Sequence, residues 1–551
     1  MSPDSEPPDS EPPDSEPPDS EPPDAVSPVS DDSRLVARCP AGLLRGSAED
    51  GVVVFRGIPY ALPPLGARRW RWPEPAEGWA GIREAGSFGP TAPQNPPAPG
   101  MSIPGDPTEW SEDCLTLNIW TPGVDDARRP VMVWVHGGGF TAGSGASALY
   151  DGKALAADGN VVVVTFNYRL GALGYLADPR LAPEAGAPWA NWGLADQVAA
   201  LRWVRECIGA FGGDPGNVTA FGESAGAMSL AVLLASSEAP SLFDRVVLQS
   251  GPPVTSGAGL ASKRAERFAE LAGVAGGVSR DELAGLSPAA LIEAANRLAA
   301  ETQGDGTLPL PFVPVVDGAL IGSSPLGVLG SGAESPVPLL IGTTRDETAF
   351  FTLGAAGLGP MDDDVLVRRV SRLVGEAAPT LIEAYRSARH ARGEPAGPAD
   401  LLMAISTDRV FRVPSVALGE AHARKGAPVY MYLFTWESPM LGGALGACHA
   451  LDVPFVFGTV ANRAVAPFSG GGPEAQALSR AMMRAWVSFA RSGDPSCDEL
   501  GPWPAYSVGD RPTMVLGARR ELAIDPRGEE LAVWGATGSL TSTGHHMEAA
   551  G

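Results

Sequence analysis

Cysteine, histidine and lysine are all scarce in this chain of 551 residues. Five Cys form a sparse and odd set, which excludes a disulfide scaffold. Six His leave few candidates for any imidazole chemistry. No apolar run approaches the ~18–20 residues that a membrane helix needs. Basic residues are outnumbered, 40 Lys and Arg against 64 Asp and Glu, for a formal charge of −24. A negative field of that size argues against nucleic acid or an anionic membrane as partner. Only Lys153, Lys263 and Lys425 stand among the bases, a bias read as genome composition rather than function. The start has no basic n-region and no apolar h-region, so no secretory signal is recognisable. With the odd Cys count, this makes a reducing, cytoplasmic setting the expectation.

What is present points to a large folded body behind an acidic tail. Hydrophobic residues make up 44% and charged residues 19%, enough to bury a sizeable core. Asp4 to Pro23 is four copies of DSEPP, and Met1 to Asp32 holds eleven acids and no base. Removing them leaves −13 for the rest. Residues 1–33 are expected to be disordered, extended by charge and proline, as a solvating tail or as a docking or phosphorylation segment. The polar stretch 536–551 is expected to be a flexible C-terminal tail. Length suggests ~3–4 domains, but no Pro/Ser linker divides the body. The expectation is one α/β domain over residues 34–535.

Within it, short β-branched runs alternate with helical patterns. Val131 to Val135 and Val161 to Phe166 are continuous apolar runs, expected as strands buried on both faces. Leu194, Val198, Leu201, Val204, Ile208 and Phe211 form one apolar stripe, predicting a helix over 193–211. Asp214-Pro215-Gly216 reads as a turn. Val218 to Phe221, Val246 to Gln249, Pro338 to Ile341 and Val429 to Phe434 read as further strands. The sum is a central, mostly parallel sheet flanked by helices. The Ala-rich stretches 259–310 and 361–425 read as helical insertions over one edge of it.

The central chemical signal is Gly222-Glu223-Ser224-Ala225-Gly226, between a short strand and an apolar helix. Strand, G-x-S-x-G and helix is the context of a nucleophile elbow, where a strained Ser projects above the sheet. Gly222 and Gly226 let strand and helix cross closely, and Ala225 offers an N–H at the helix start. A turn serine in a Gly-rich chain is the bland alternative. His136-Gly137-Gly138-Gly139-Phe140 follows the apolar strand 131–135. Its glycines allow successive N–H groups to aim at one point, as an oxyanion hole requires, or they are simply a flexible turn. Among the six His, His449 lies in a Gly-rich loop before an apolar run, which suits a base lining a site. His545 and His546 fall in the polar tail, His390 and His422 in helical stretches, and His136 in the glycine loop. For the acid, the residues alone leave Glu347, Asp346 and Asp452 open.

These blocks, in this order, resemble a type-B carboxylesterase of the cholinesterase and bacterial para-nitrobenzyl esterase kind, on an α/β-hydrolase fold. Further blocks carry the resemblance: Phe55-Arg-Gly-Ile-Pro-Tyr-Ala61, Glu112-Asp-Cys-Leu-Thr-Leu-Asn118, Asn167-Tyr-Arg-Leu-Gly171, Gln249-Ser-Gly251, Phe312-Val-Pro-Val-Val-Asp-Gly318, Ile341-Gly-Thr-Thr-Arg-Asp-Glu347 and Asp452-Val-Pro-Phe-Val-Phe-Gly458. The resemblance implies Ser224 as nucleophile, Glu347 as acid and His449 as base, with Gly138, Gly139 and Ala225 as oxyanion donors. It implies ester hydrolysis through an acyl-enzyme, with no metal and no cofactor, on a small-molecule ester. Carbamates, lactones, amides and thioesters are alternatives for the same triad, and a non-catalytic cholinesterase-like binding protein is a remoter one. Phe140, Glu223 and Ser250 are candidates for the pocket, with structural roles as the alternative for Glu223 and Ser250. The loop Ala98 to Trp110 and the insertions are expected to wall it. Cys114 holds a position bridged in many secreted relatives, but Ala92 stands where its partner would be. Cys448, beside His449, reads as a small buried residue.

Overall fold

The computed structural model describes residues 34–536, apart from 98–102, 104, 303–309, 332–336 and 355–360. The acidic repeat expected at 1–33, residues 537–551 of the C-terminal tail and the first part of the loop Ala98 to Trp110 lie outside the described residues. Ala536, expected to open that tail, instead ends the helix Gly528–Ala536, which the buried Trp534 anchors.

Fourteen strands are described: β1 (Val36–Cys39), β2 (Gly42–Arg45), β3 (Ser47–Glu49), β4 (Val52–Pro59), β5 (Ile82–Glu84), β6 (Thr116–Thr121), β7 (Arg129–Val135), β8 (Val162–Phe166), β9 (Gly213–Glu223), β10 (Arg245–Gln249), β11 (Leu339–Thr344), β12 (Val429–Phe434), β13 (Pro512–Leu516) and β14 (Arg520–Ile524). Strands β1, β2 and β5 make a small separate sheet. The other eleven form one sheet in the order β14-β13-β12-β11-β10-β9-β7-β8-β6-β4-β3. From β8 across to β13 every neighbouring pair is parallel, and the two flanks are antiparallel. The chain places β8 on one side of β7 and β9 on the other. That change of direction opens a crevice at the carboxyl ends of β7 and β9, where α/β sheets place ligands.

The continuous apolar runs are explained by burial on both faces. Val131, Val133 and Val135 of β7 join one core, and Met132 and Trp134 join the other. Val162 and Val164 of β8 likewise oppose Val163. A polar residue on either side would lose its hydration without a partner. The helix expected over 193–211 is α-helical at Trp192–Cys207 and tightens into a 3-10 turn at Ile208–Phe211, ended by Gly212 at φ 77°.

One sequence expectation is corrected here. Asp214-Pro215-Gly216 is not a free turn but part of β9. Its partner β7 pairs Arg129 with Gly213 and then Val131 with Val218, so the intervening residues bulge out of register. The turn chemistry survives inside that bulge, where the Gly216 N–H donates to Asp214 Oδ1 at 2.9 Å.

The described residues of the stretches 259–302 and 361–425 are largely helical, as their composition predicts, while 303–309 lie outside the described residues. The first is clamped to the body by Arg69, which donates to the Ala284 and Leu286 carbonyls at 2.8 and 2.6 Å. The second has a core of its own, including Leu366, Leu381, Tyr385, Leu401 and Trp534.

Candidate active site

Ser224 stands between β9 and the helix Ala225–Leu234, at φ 52° and ψ −125°. This lies outside the regions that L-residues favour, a strain the surroundings must hold. The Ser224 N–H donates to the Gln249 carbonyl at 3.0 Å, and its own carbonyl accepts from the Met228 N–H at 2.7 Å. A Cβ on Gly226 would come within 2.0 Å of the Val135 carbonyl oxygen, and one on Gly222 within 2.8 Å of the same atom. Only glycine permits this crossing of strand and helix. Ser224 is half-buried while Glu223 and Ala225 beside it are buried, so the strained turn is what carries its hydroxyl outward.

The glycine loop follows the carboxyl end of β7 and reaches the elbow. A Cβ on Gly137 would stand 2.7 Å from Glu223 Oε2 and 3.0 Å from Ser224 Cβ. Gly138 and Gly139 have φ of 117° and 60°, and a Cβ on Gly138 would lie 2.1 Å from the Ala142 carbonyl oxygen. Among the described residues, the amides of Gly138, Gly139 and Ala225 donate to no protein acceptor. His136 and Phe140 at the loop's ends turn inward. Nδ1 of His136 donates to the Gly137 carbonyl at 2.8 Å, and its ring stacks on Tyr168 at 4.4 Å. Burial depresses its pKa to about 4, so it is neutral. Phe140, expected as a pocket residue, is fully buried and packs edge-on against Tyr175 at 4.9 Å. It supports the loop from the core rather than lining an open pocket.

The three acids left open by the sequence have different partners. Nδ1 of His449 donates to Glu347 Oε2 at 2.5 Å. The other Glu347 oxygen accepts from the Thr344 N–H at 2.8 Å, which fixes the carboxylate at the end of β11. Asp346 instead accepts from Arg345 and from the Ala447 N–H, at 2.8 and 2.9 Å. Asp452 accepts from Gln249 Nε2 at 3.0 Å and from the Tyr432 hydroxyl at 2.8 Å. Burial raises Asp452 to about 7, and the nearby Glu223 and Glu347 charges push the same way.

The other imidazole nitrogen faces the elbow. His449 Nε2 lies 3.0 Å from Glu223 Oε1, close enough for charge attraction but off the line of a hydrogen bond. Burial favours a neutral ring. The carboxylates of Glu223 and Glu347 outweigh it and raise the His449 pKa to about 10. Three rings pack around the imidazole: Phe351 and Phe411 at 4.9 Å and Phe350 at 6.3 Å. Phe411 sits on a π turn, Asp408–Arg412, inserted between the helices Pro398–Thr407 and Val413–Ala423. The sequence reading missed these aromatics. Phe350 and Phe351 follow Glu347 closely enough to have been suspected, whereas Phe411 has no local signal.

Ser250 directly follows Gln249 and is fully buried at φ 53°, its N–H donating to the Gly342 carbonyl at 2.9 Å. Its backbone ties the end of β10 to β11, and its side chain is shut off from solvent. Cys448 is buried, and burial pushes its thiol up, away from a reactive thiolate. All five cysteines are free, Cys114 among them. Beside Thr141, just after the glycine loop, a cleft opens, lined by Gln94, Leu173, Leu291, Asn296 and Pro311 and, among the described residues, by no charged side chain. A hydroxyl on a strained turn, an imidazole held by a carboxylate and a set of unused amides form a constellation suited to acyl transfer.

Comparisons with known proteins agree with that chemistry. A model of the carboxylesterase family matches residues 33–534. The chain is 37% identical to the para-nitrobenzyl esterase of Bacillus subtilis, over 89% of this chain and 96% of that protein. It is equally 37% identical to the phenmedipham hydrolase of Pseudarthrobacter oxydans, over 88% and 95% of the two chains. Among solved structures, the Geobacillus stearothermophilus carboxylesterase EST55 at pH 6.2 superposes with a TM-score of 0.80 at 42% identity, covering 91% of this chain and all of that one.

Proposed function

Given that the chain belongs to the carboxylesterase family, has the α/β-hydrolase fold and is a carboxylic ester hydrolase, we propose that it works through an acyl-enzyme on Ser224, with His449 as base and Glu347 as acid. The observation that carries this reading is the His449 Nδ1–Glu347 bond at 2.5 Å, with the other imidazole nitrogen facing the residue next to Ser224. Neutral His449 takes the Ser224 proton as the oxygen attacks the ester carbonyl. Glu347 holds the ring's tautomer, and Glu223 and Glu347 stabilise the imidazolium that forms. The carbonyl oxygen becomes an oxyanion and receives the N–H groups of Gly138, Gly139 and Ala225, donors with no competing acceptor among the described residues. Collapse expels the alcohol, which takes the proton from His449. Water, losing its proton to His449, then attacks the acyl carbonyl, and collapse releases the acid as Ser224 takes that proton back from His449.

The uncharged cleft beside Thr141 supports an uncharged acyl or aryl ester as substrate. Among the described residues no helix is long and apolar enough to cross a membrane. The five free thiols support a reducing, cytoplasmic setting.

A p-nitrophenyl ester chain-length series, run beside matched amides, lactones, carbamates and thioesters, tests the reading. Esters should be turned over fastest, and Ser224→Ala should lower kcat by roughly 10⁴–10⁶. Near-wild-type ester turnover in that variant would overturn the assignment.

A further inference from the structure

The glycine loop is gripped from outside by a side chain that the catalytic steps do not use. Gln94 lies far from the loop in sequence, yet its amide pairs with both backbone groups of Gly143. The Gly143 N–H donates to Gln94 Oε1 at 2.8 Å, and Gln94 Nε2 donates to the Gly143 carbonyl at 2.9 Å. Nε2 also donates to the Ala92 carbonyl at 3.0 Å. A side-chain amide has donors on one side and an acceptor on the other, so two carbonyls beside one N–H admit it in a single orientation. The segment that carries Gln94 is itself anchored. Thr91 pairs with the backbone of Glu109 and Ser111 at 3.1 and 2.9 Å, and Asn95 exchanges amide hydrogen bonds with Asn296 at 2.7 and 3.1 Å.

What Gln94 grips bears directly on the oxyanion donors. Gly143 has φ 110°, and a Cβ there would stand 2.4 Å from the Gly137 carbonyl oxygen and 2.5 Å from His136 Nδ1. Its backbone is therefore packed against the peptide that joins Gly137 to Gly138. In a planar trans peptide the C=O and the N–H point in opposite directions. Fixing the Gly137 carbonyl, which also accepts from His136, fixes where the Gly138 N–H points. The next peptide is set the same way. The Thr141 and Ala142 N–H groups donate to the Gly138 carbonyl at 3.1 and 3.0 Å, which aims the Gly139 N–H. A run of glycines left to itself has many backbone alternatives. Here Ala142 and Gly143 fold back to close the loop, and Gln94 holds Gly143 in place. Donors fixed beforehand need no turning when the charge develops, which is what gives them their effect on rate.

We propose that Gln94 is a positioning residue for the oxyanion hole, a role that rests on Gly138 and Gly139 serving as its donors. By pinning Gly143 it keeps both N–H groups aimed at the developing oxyanion. Gln94 also lines the cleft beside Thr141. A contact to the substrate there would show in KM, whereas an orienting role shows in kcat.

Gln94→Met keeps the length of the side chain but makes none of the hydrogen bonds to Ala92 and Gly143. On a p-nitrophenyl ester its kcat should fall roughly 10–100-fold with KM changed by no more than about twofold. The second readout is a trifluoromethyl ketone beside the otherwise identical methyl ketone. Ser224 Oγ bonds to the fluorinated carbonyl carbon, its proton passes to His449, and the carbonyl π pair becomes an oxyanion in the hole. The wild type should bind the fluorinated ketone at least ~100-fold tighter than its partner, and in Gln94→Met that preference should shrink by the same factor as kcat. A wild type with no such preference would overturn the oxyanion reading itself. A preference kept in full by Gln94→Met, an unchanged kcat, or a loss carried by KM alone would overturn only the role of Gln94. Should Gln94→Met fail to fold, the same measurements are made on Gln94→Glu, which keeps the acceptor for the Gly143 N–H and loses both donors. Failure of both variants to fold would place Gln94 in the service of the fold and overturn the proposal as well.

Discussion

Around His449, two buried carboxylates (Glu223 and Glu347) face a single imidazole. Around Arg412 and Arg511, two guanidinium groups meet the carboxylates of Asp408, Glu530, Glu420 and Asp525 beside a narrow cleft. The first region is short of positive charge, whereas the second sets each cation against carboxylates. The carboxylates at His449 favour the imidazolium, the form the ring takes on receiving the proton of Ser224 in the proposed mechanism, so the imbalance serves a transition state. The charges at Arg412 and Arg511 meet standing partners of opposite sign, so they serve the fold and not a passing step. One cluster of charge is used in time, the other in space.

The sharpest way to break the first half of that comparison is to remove the proton's source. Ser224→Ala should abolish ester turnover, by roughly 10⁴–10⁶ in kcat, without lowering Tm, because the side chain that imposes no packing is lost from a strained turn. Glu347→Gln keeps the shape but removes the charge that holds the Nδ1 tautomer, and should cost roughly 10³–10⁴ in kcat. Steady-state rates on a p-nitrophenyl ester check both. If Asp346→Asn did comparable damage instead, the acid assignment would fail.

Gly138→Ala acts on the oxyanion side. A methyl 2.1 Å from the Ala142 carbonyl oxygen forces the loop to move, and kcat should fall by roughly 10²–10³ with KM little changed. A mainly KM-based loss would mean that the loop binds substrate and does not stabilise charge.

The smallest effect concerns Glu223. The base must be neutral to accept a proton, so activity falls as pH drops through the His449 pKa. Glu223 favours the charged ring and therefore holds that acid limb high. Glu223→Gln should move the limb of kcat/KM to lower pH by about one unit, while the plateau falls. A limb that stays in place, or moves to higher pH, would show that Glu223 does not act on His449 through charge.

Much of the frame was legible because double-sided burial leaves an unmistakable mark. Val131 to Val135 had to be apolar throughout, since alternate residues enter two different cores. The short strands of the antiparallel flank and of the small sheet escaped notice. Ile82–Glu84, for instance, is exposed at all three residues and carries no such pattern. The misread turn at Asp214 to Gly216 has a related cause. Its local chemistry is that of a turn, and only the pairing of β7 with both ends of the segment makes it a bulge in a strand.

The site divides the same way. Sequence alone determined the elbow and the glycine loop. Gly222, Ser224, Gly226 and Gly138 occupy backbone conformations and close approaches that few residues tolerate, and such demands are written where they occur. The resemblance selected Glu347, but the residues themselves left Asp346 and Asp452 equally open. Only the tertiary structure decided between them, by placing the end of β11 against the loop after β12 so that one carboxylate meets His449 and the other two meet Arg345, Gln249 and Tyr432. The ring of Phe411 on His449 and the cleft at Arg412 belong to the same class. Their partners come from segments far apart in the chain, so no window of sequence contains the contact.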